Sequence, residues 1–380
     1  MRFIVYKGLK DLMLIYPVYT LFFEAAGLPL HQVSLLLALW SLPVVVLEVP
    51  SGVLADRWSR KSMILLSCLL KAVCFLLWAI DPSFLFFAFG FLCWGVSEAF
   101  SSGAEEALLF DSLKSKGEEG RFEHVYGRAM AAGSVAVAIS SFSGGYLAHR
   151  FGYRVVVLLS MLCSLLAFAV ALGFRDVKVH QQNQPSFAIV KQAFQHLVKK
   201  RDVFVFAALL VIPISLADML DEYDALVAVS HQVPLSLVGI WVGGRYLLQA
   251  LGAVLAEHVS SRILNAGRSV CLIGGFSLLV SRLIPSISGL VFYFLFYLLL
   301  SASSVIQENR IQLSIEEQGR ATVQSLISLA TNLHALLVFA ALAMLASVSA
   351  VVVSLAVYCI VGCMGIGWLL PRSKQPLSRS

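Results

Sequence analysis

Apolar positions in this chain neither alternate with polar ones nor come and go every third or fourth residue; they run on in long blocks. Blocks of about twenty apolar residues are long enough to cross a bilayer as helices. Short polar turns such as GLPLHQ, DPS, HRFGYR, HQVPLS and LIPSIS punctuate them. The pattern predicts an all-α membrane protein with twelve transmembrane spans, at 6–28, 32–55, 62–80, 84–110, 122–148, 153–174, 202–228, 234–256, 266–284, 288–310, 321–345 and 348–370. One longer connection, 175–201, separates two six-span halves. It carries Phe187, Val190, Phe194, Leu197 and Val198 at helical spacing, with Lys191, Lys199 and Lys200 among them. That reads as an amphipathic helix on the membrane surface. The expected domains are an N-terminal bundle over 1–174, a cytoplasmic linker over 175–201, a C-terminal bundle over 202–370 and a cytoplasmic tail over 371–380.

Composition agrees with the pattern. Of 380 residues, 59% are hydrophobic and 13% charged, against about 25% charged in soluble domains. The net charge of +6 does not indicate nucleic acid, because the cations are spread over many short loops. They fix topology instead. With the N-terminus inside, the outer loops hold only Arg150, Arg154 and Arg282, and Lys71 and Arg245 lie within spans. Both termini are therefore expected in the cytoplasm. The first apolar stretch is expected to be retained, since Glu24 precedes Ala25 and Ala26 where a signal cleavage site would fall. The seven cysteines lie in or beside apolar segments, and Cys359 and Cys363 share a helix face, which reads as packing.

A polar turn, GVLADRWSRK at 52–61, interrupts this greasy background. Echoes occur at VLAEHVSSR, 254–262, and GYLAHRFGYR, 145–154. Parallel halves, each built of inverted three-span repeats, have this internal symmetry. Gly52, Leu54, Ala55, Asp56, Arg57, Arg60 and Lys61 match the signature loop between the second and third helices of the major facilitator superfamily, with Ser59 where a glycine is usual. LEVPSGVLAD (47–56), SSGAEEALLFDSL (101–113), YGRA (126–129) and GRATVQSL (319–326) resemble a bacterial branch of it. The resemblance covers essentially the whole chain. It implies two six-helix bundles, a central cavity and alternating access, without naming a substrate.

Gating at the inner face is the role expected of the turn. Gly52 permits close helix approach, and Asp56 suits the positive N-terminus of another helix. The resemblance places that partner in the eleventh span. Arg57, Arg60 and Lys61 are expected to pair with Asp111 and to latch the two bundles. Arg128 and Arg320 each follow a glycine at matching places in the two halves. They are expected in inner-face ion pairs with Asp111, Glu123, Glu257 or Glu316.

Ionised groups in lipid are costly and therefore face the protein interior or a wet cavity. Span 1 sets Pro17, Thr20 and Glu24 on one face, span 4 sets Glu98, Ser102 and Glu105, and span 7 sets Asp218, Asp221 and Glu222. Span 10 carries Tyr293, Tyr297, Ser301, Ser304 and Glu308 along one stripe. These are the equivalent first helices of the four repeats. The carboxylates, Asp218, Asp221 and Glu98 above all, are candidates for binding a proton, since crowding and burial raise carboxylate pKa. Arg245 alternatively pairs with an acid of span 7. Glu48 and Lys71, at similar depths on antiparallel spans, are expected to form a structural ion pair. Drug/proton antiporters of the superfamily carry an arginine in the fourth helix; here Phe91 stands in its place, so proton coupling would rest on carboxylates.

The expected function is secondary transport of a small organic solute by a monomer, proton-coupled export being favoured over uptake. A lipid-handling translocase or a transport-dead sensor is the other reading. The sequence has no phosphate loop, metal-ligand cluster, HExxH or GxSxG, so no enzyme activity and no cofactor are expected.

Overall fold

The computed structural model describes residues 1–57, 59–102, 104–175, 201–260, 266–284, 286–314 and 320–369. Among them the chain forms fourteen α-helices and no strand. In order these are α1 (Arg2–Asp11), α2 (Tyr19–Ala25), α3 (Leu30–Arg57), α4 (Arg60–Ile80), α5 (Phe84–Ser101), α6 (Ala104–Lys114), α7 (Phe122–Phe151) and α8 (Tyr153–Leu172). There follow α9 (Arg201–Ser230), α10 (Leu235–Ser260), α11 (Ala266–Leu283), α12 (Leu290–Ser314), α13 (Arg320–Leu342) and α14 (Val348–Leu369). Eight described segments are long and apolar enough to cross a membrane, and Ser269–Leu283 and Leu329–Leu342 are shorter apolar helices.

Ten of the twelve predicted spans correspond to one helix each. Spans 1 and 4 are instead each broken into two pieces. In span 1, α1 ends at Asp11 and a single 3-10 turn, Tyr16–Val18, leads into α2. Pro17 has no backbone N–H to continue the helix. The backbone N–H of Ile15 at this break donates to Ser160 Oγ of α8 at 3.0 Å, which meets the demand that every polar backbone group in lipid be satisfied. In span 4, Ser102 leaves the helical conformation at ψ 127° after α5, and α6 resumes at Ala104.

Contacts divide the chain into two compact units. The first comprises Met1–Gln184, Met219–Tyr246 and Asn332–Val351; the second comprises Pro185–Asp218, Leu247–Thr331 and Val352–Ser380. In the first, α4 packs on α5 and α8, α3 on α5, and α1 on α7 and α8. Phe3, Tyr6, Met63, Ile64, Cys68, Leu108 and Leu109 make one cluster. Tyr19, Phe23, Trp78, Phe87, Phe91 and Trp94 form a net of mainly edge-on rings, the arrangement aromatic quadrupoles favour. Many large apolar side chains on the outer faces, such as Val46, Phe89, Val135 and Leu162, are exposed, as lipid-facing residues should be.

Small residues let backbones meet. A Cβ at Gly95 would lie 2.3 Å from the carbonyl oxygen of Trp40. One at Gly239 of α10 would lie 1.8 Å from that of Ser141 in α7, and one at Gly145 of α7 2.7 Å from that of Leu235. In the second unit α11 packs against α12. There Cys271 Sγ lies 3.5 Å from Cys359 Sγ and 3.1 Å from Cys363 Sγ, all three buried. Cys271, distant in sequence, joins the face expected to hold Cys359 and Cys363 alone.

The linker helix expected within 175–201 lies outside the described residues.

Candidate functional site

The polar interior of the first unit is built from α1, α4 to α7, and the facing parts of α9 and α10. At one end α1 presents Tyr6, Lys7, Lys10 and Asp11 on successive turns. Glu105 of α6 is the common target of Tyr6, Lys7 and Lys10. It accepts from the Tyr6 hydroxyl at 2.9 Å and from Lys7 Nζ at 3.5 Å, and pairs closely with Lys10. Lys10 also donates to Ser101 Oγ at 3.0 Å, and Lys7 pairs with Asp11 at 3.3 Å. The loop-charge count treats Lys7 and Lys10 as markers of topology only. Their i, i+3 spacing on one face is the signal that they have an acid to meet.

Deeper in the unit, Lys71 of α4 is buried and bonds Glu98 of α5 at 2.6 Å. Glu98 also accepts from Trp94 Nε1 at 3.1 Å. The Lys71 ammonium lies 3.9 Å from the centre of the Trp94 ring, a cation–π distance. The predicted partner of Lys71 was Glu48; its described partner is Glu98, 27 residues on, and the Glu48 side chain lies outside the described residues. Matching depth alone does not decide which neighbouring helix a side chain faces, and α4 packs on α5 more extensively than on α3.

A second charged group joins α9 and α10. Arg245 is fully buried and pairs with both Asp221 and Asp224. Asp221 further accepts from the Tyr246 hydroxyl at 2.8 Å and the Tyr16 hydroxyl at 3.2 Å. The Arg245 guanidinium lies 3.8 Å from the Tyr246 ring centre. Glu222, next on the helix, takes a short hydrogen bond from Tyr19. The expected pairing of Arg245 with an acid of span 7 is present. Asp224 is a partner the sequence reading missed, although it lies at i+3 from Asp221 on the same face.

These groups line two adjoining, partly open cavities. The first, about 260 Å³, is lined by Asp11, Met13, Tyr16, Tyr19, Trp40, Phe91, Trp94, Glu98, Val137, Ser140, Glu222 and Tyr246. The second, about 280 Å³, includes Lys7, Lys10, Ser101, Ser102, Glu105 and Glu106 in its lining. Glu98 borders both.

Other predicted site residues fall elsewhere. Glu24 is exposed at the end of α2, and Asp218 is exposed and belongs to the second unit; neither lines these cavities. In the second unit Tyr293 and Tyr297 are fully buried with ring centres 5.3 Å apart, and Tyr297 donates to the Ala217 carbonyl at 3.4 Å. Ser304 turns back to the Leu300 carbonyl at 3.0 Å, and Glu308 is half-buried.

At the signature turn, Arg60 pairs with Asp111 and donates to the Ala107 carbonyl at 3.1 Å. Both belong to the N-terminal half, so this pair joins α4 to α6 and not one bundle to the other. The reason is local: the turn delivers Arg60 to the first helical residue of α4, beside α6. Lys61 donates to the Leu172 carbonyl at 2.8 Å, tying α4 to the end of α8 and satisfying a carbonyl that a helix terminus leaves open. Ser59 caps α4 by accepting from the Ser62 N–H at 3.1 Å, which accounts for a serine where glycine is usual. Arg128 is exposed. The side chains of Asp56, Arg57, Glu257 and Arg320, the surroundings of Gly52, and all of Glu316 lie outside the described residues.

Membrane-length helices around a polar, charge-lined interior are the architecture of a membrane transport protein. Sequence comparison gives the family: the model of the Major Facilitator Superfamily matches residues 11–338. The chain belongs to that superfamily. No curated protein matches it significantly in sequence. Among solved structures, the nucleoside transporter NupG superposes with a TM-score of 0.73 at 14% identity, covering 97% of this chain and 98% of that one. A bacterial homolog of the human lysosomal transporter Spinster, inward-facing and occupied, gives 0.74 at 14%, covering 97% and 95%. The POT family transporter PepTSo gives 0.74 at 13%, covering 97% and 96%. At these identities the likeness is one of fold.

Proposed function

We propose that this protein is a secondary active transporter that moves a small organic solute across the bacterial inner membrane by alternating access, exporting it in exchange for protons. The halves 1–174 and 202–370 act as the two lobes, with both termini in the cytoplasm. The observation that carries this reading is the pair of cavities meeting at Glu98. A carboxylate bordering two chambers can bind a proton from one and lose it to the other, and its bond to Lys71 gives it a competing partner to release. Glu222 and Asp221, bordered by Tyr16, Tyr19, Tyr246 and Arg245, supply a second carboxylate group for the same cycle. Asp218 is not offered for this role, because it does not line the cavities.

Proteoliposomes test the proposal. Vesicles with the cytoplasmic face outward and an acidic lumen are offered radiolabelled amines, nucleosides, sugars and organic acids. Exchange for protons predicts that at least one class accumulates, that accumulation collapses when the gradient is dissipated, and that Glu98→Gln cuts it at least tenfold. Accumulation only in the opposite vesicle orientation, with an alkaline lumen, would replace export by uptake. No gradient-driven movement of any class in either orientation would overturn transport itself.

A further inference from the structure

The first cavity has a chemical bias. Its lining contains three carboxylates, Asp11, Glu98 and Glu222, and six aromatic side chains, Tyr16, Tyr19, Trp40, Phe91, Trp94 and Tyr246. None of its described lining residues is a lysine or arginine. Counting the groups that border or brace the two cavities, the carboxylates are Asp11, Glu98, Glu105, Glu106, Asp221, Glu222 and Asp224, and the cations are Lys7, Lys10, Lys71 and Arg245. These described groups thus carry three more negative than positive charges when all eleven are ionised. An excess of ionised acids within membrane-spanning helices is costly, and bound protons or a bound cation would offset it.

Two further observations point to a ligand and not to protons alone. Ser140 is buried and lines the cavity, yet its hydroxyl has no hydrogen-bond partner among the described residues. The Trp40 indole N–H, in the same lining, is also unpartnered there. A buried polar group left unpaired costs about 1–3 kcal/mol, and a bound molecule with a polar edge would remove that cost. The unit also already holds cations against its aromatic rings, with Lys71 over Trp94 and Arg245 over Tyr246. Acid field and aromatic ring act together at both places, the combination that suits organic ammonium groups.

We propose that the cavity binds a small organic cation: an amine or quaternary ammonium on a compact apolar or aromatic body, with one polar group to meet Trp40 and Ser140. At about 260 Å³ the chamber lies below the roughly 300–1,000 Å³ of drug-sized pockets, so a single-ring amine fits better than a large multicyclic drug. The inference deepens the transport reading by naming a substrate class and rests on that reading only for the step from bound to carried.

Binding is measured on the purified full-length protein in lipid nanodiscs by quenching of tryptophan fluorescence, since Trp40 and Trp94 line the chamber. The probes are benzyltrimethylammonium, neopentylbenzene, which has the same shape without the charge, and phenylacetate. Saturable quenching by the cation is expected, at least tenfold tighter than by the neutral probe, with none by the anion. Glu222→Gln is expected to weaken the cation at least fivefold. Asp11→Asn is the second variant, for use if the first does not purify as a folded monomer, with the same expectation. Equal binding of neutral and cationic probes, or unchanged cation affinity in a folded variant, overturns the inference. A neutral or acidic solute emerging from the vesicle screen would overturn the substrate class while leaving transport intact. A cation that binds and is never carried would leave the site intact and overturn transport.

Discussion

Lys71 and Arg245 hold comparable positions in the first unit but are not alike. Each is a buried cation pinned to carboxylates of a neighbouring helix and laid over an aromatic ring. Among the described residues Lys71 has one acid, Glu98, whose side chain is 34% exposed. Arg245 has two, Asp221 at 16% and Asp224 at 2%. A lysine buried against one solvated acid can exchange partners or give up its proton, whereas a guanidinium stays charged and can fork between two acceptors. The contrast separates a movable charge pair from a fixed one. Glu98 of the movable pair borders both cavities, which suits that pair to a working cycle; the fixed one holds α9 to α10.

Substitutions can break or sharpen that contrast, and the size of each effect orders them. Arg245→Met strands two acids, one fully buried, and should cost about 3–5 kcal/mol, read as the shift in unfolding free energy in mixed detergent micelles. Lys71→Met strands only the partly solvated Glu98 and should cost less, about 2–3 kcal/mol. If the two losses are equal, the distinction between movable and fixed pairs fails. Arg245→Lys keeps the charge and loses the fork; about 1.5 kcal/mol is expected, whereas Lys71→Arg should leave unfolding nearly unchanged. Tyr16→Phe removes one of the weaker bonds to Asp221, 3.2 Å long, and should cost less than about 1 kcal/mol by the same measurement.

Much of this was legible from residues alone, for reasons that differ by element. Ten spans coincide with single helices because hydrocarbon thickness sets their length. The breaks in spans 1 and 4 were not foreseen, since uninterrupted hydropathy hides a local turn; Pro17 was read as a cavity residue and not as the place where α1 and α2 part. Periodicity put Asp221 and Glu222 on the right face and Glu98 and Glu105 into the polar interior. It could not tell which acid a given cation meets, because that depends on the rotation and packing of two helices. For Lys71, matching depth points to Glu48, whose side chain lies outside the described residues, whereas the described partner is Glu98; spacing likewise does not single out Asp224. Asp218 satisfied the same spacing rule but lies one turn too early in α9 to line the chamber. Lys7 and Lys10 show the opposite failure: a rule that explains cations by topology leaves no reason to look for their partner.

The contact between α7 and α10 has a mechanical consequence. At Gly145 and Gly239 the two rods touch main chain to main chain, and one turn along α10 the Phe142 ring rests against Gly243. Rods seated this closely tolerate rolling about the contact line far better than separation, which would open an empty slot and forfeit dispersion along it. The seam is thus shaped as an axle, and a bulkier residue at Gly239 would jam it before it loosened anything else.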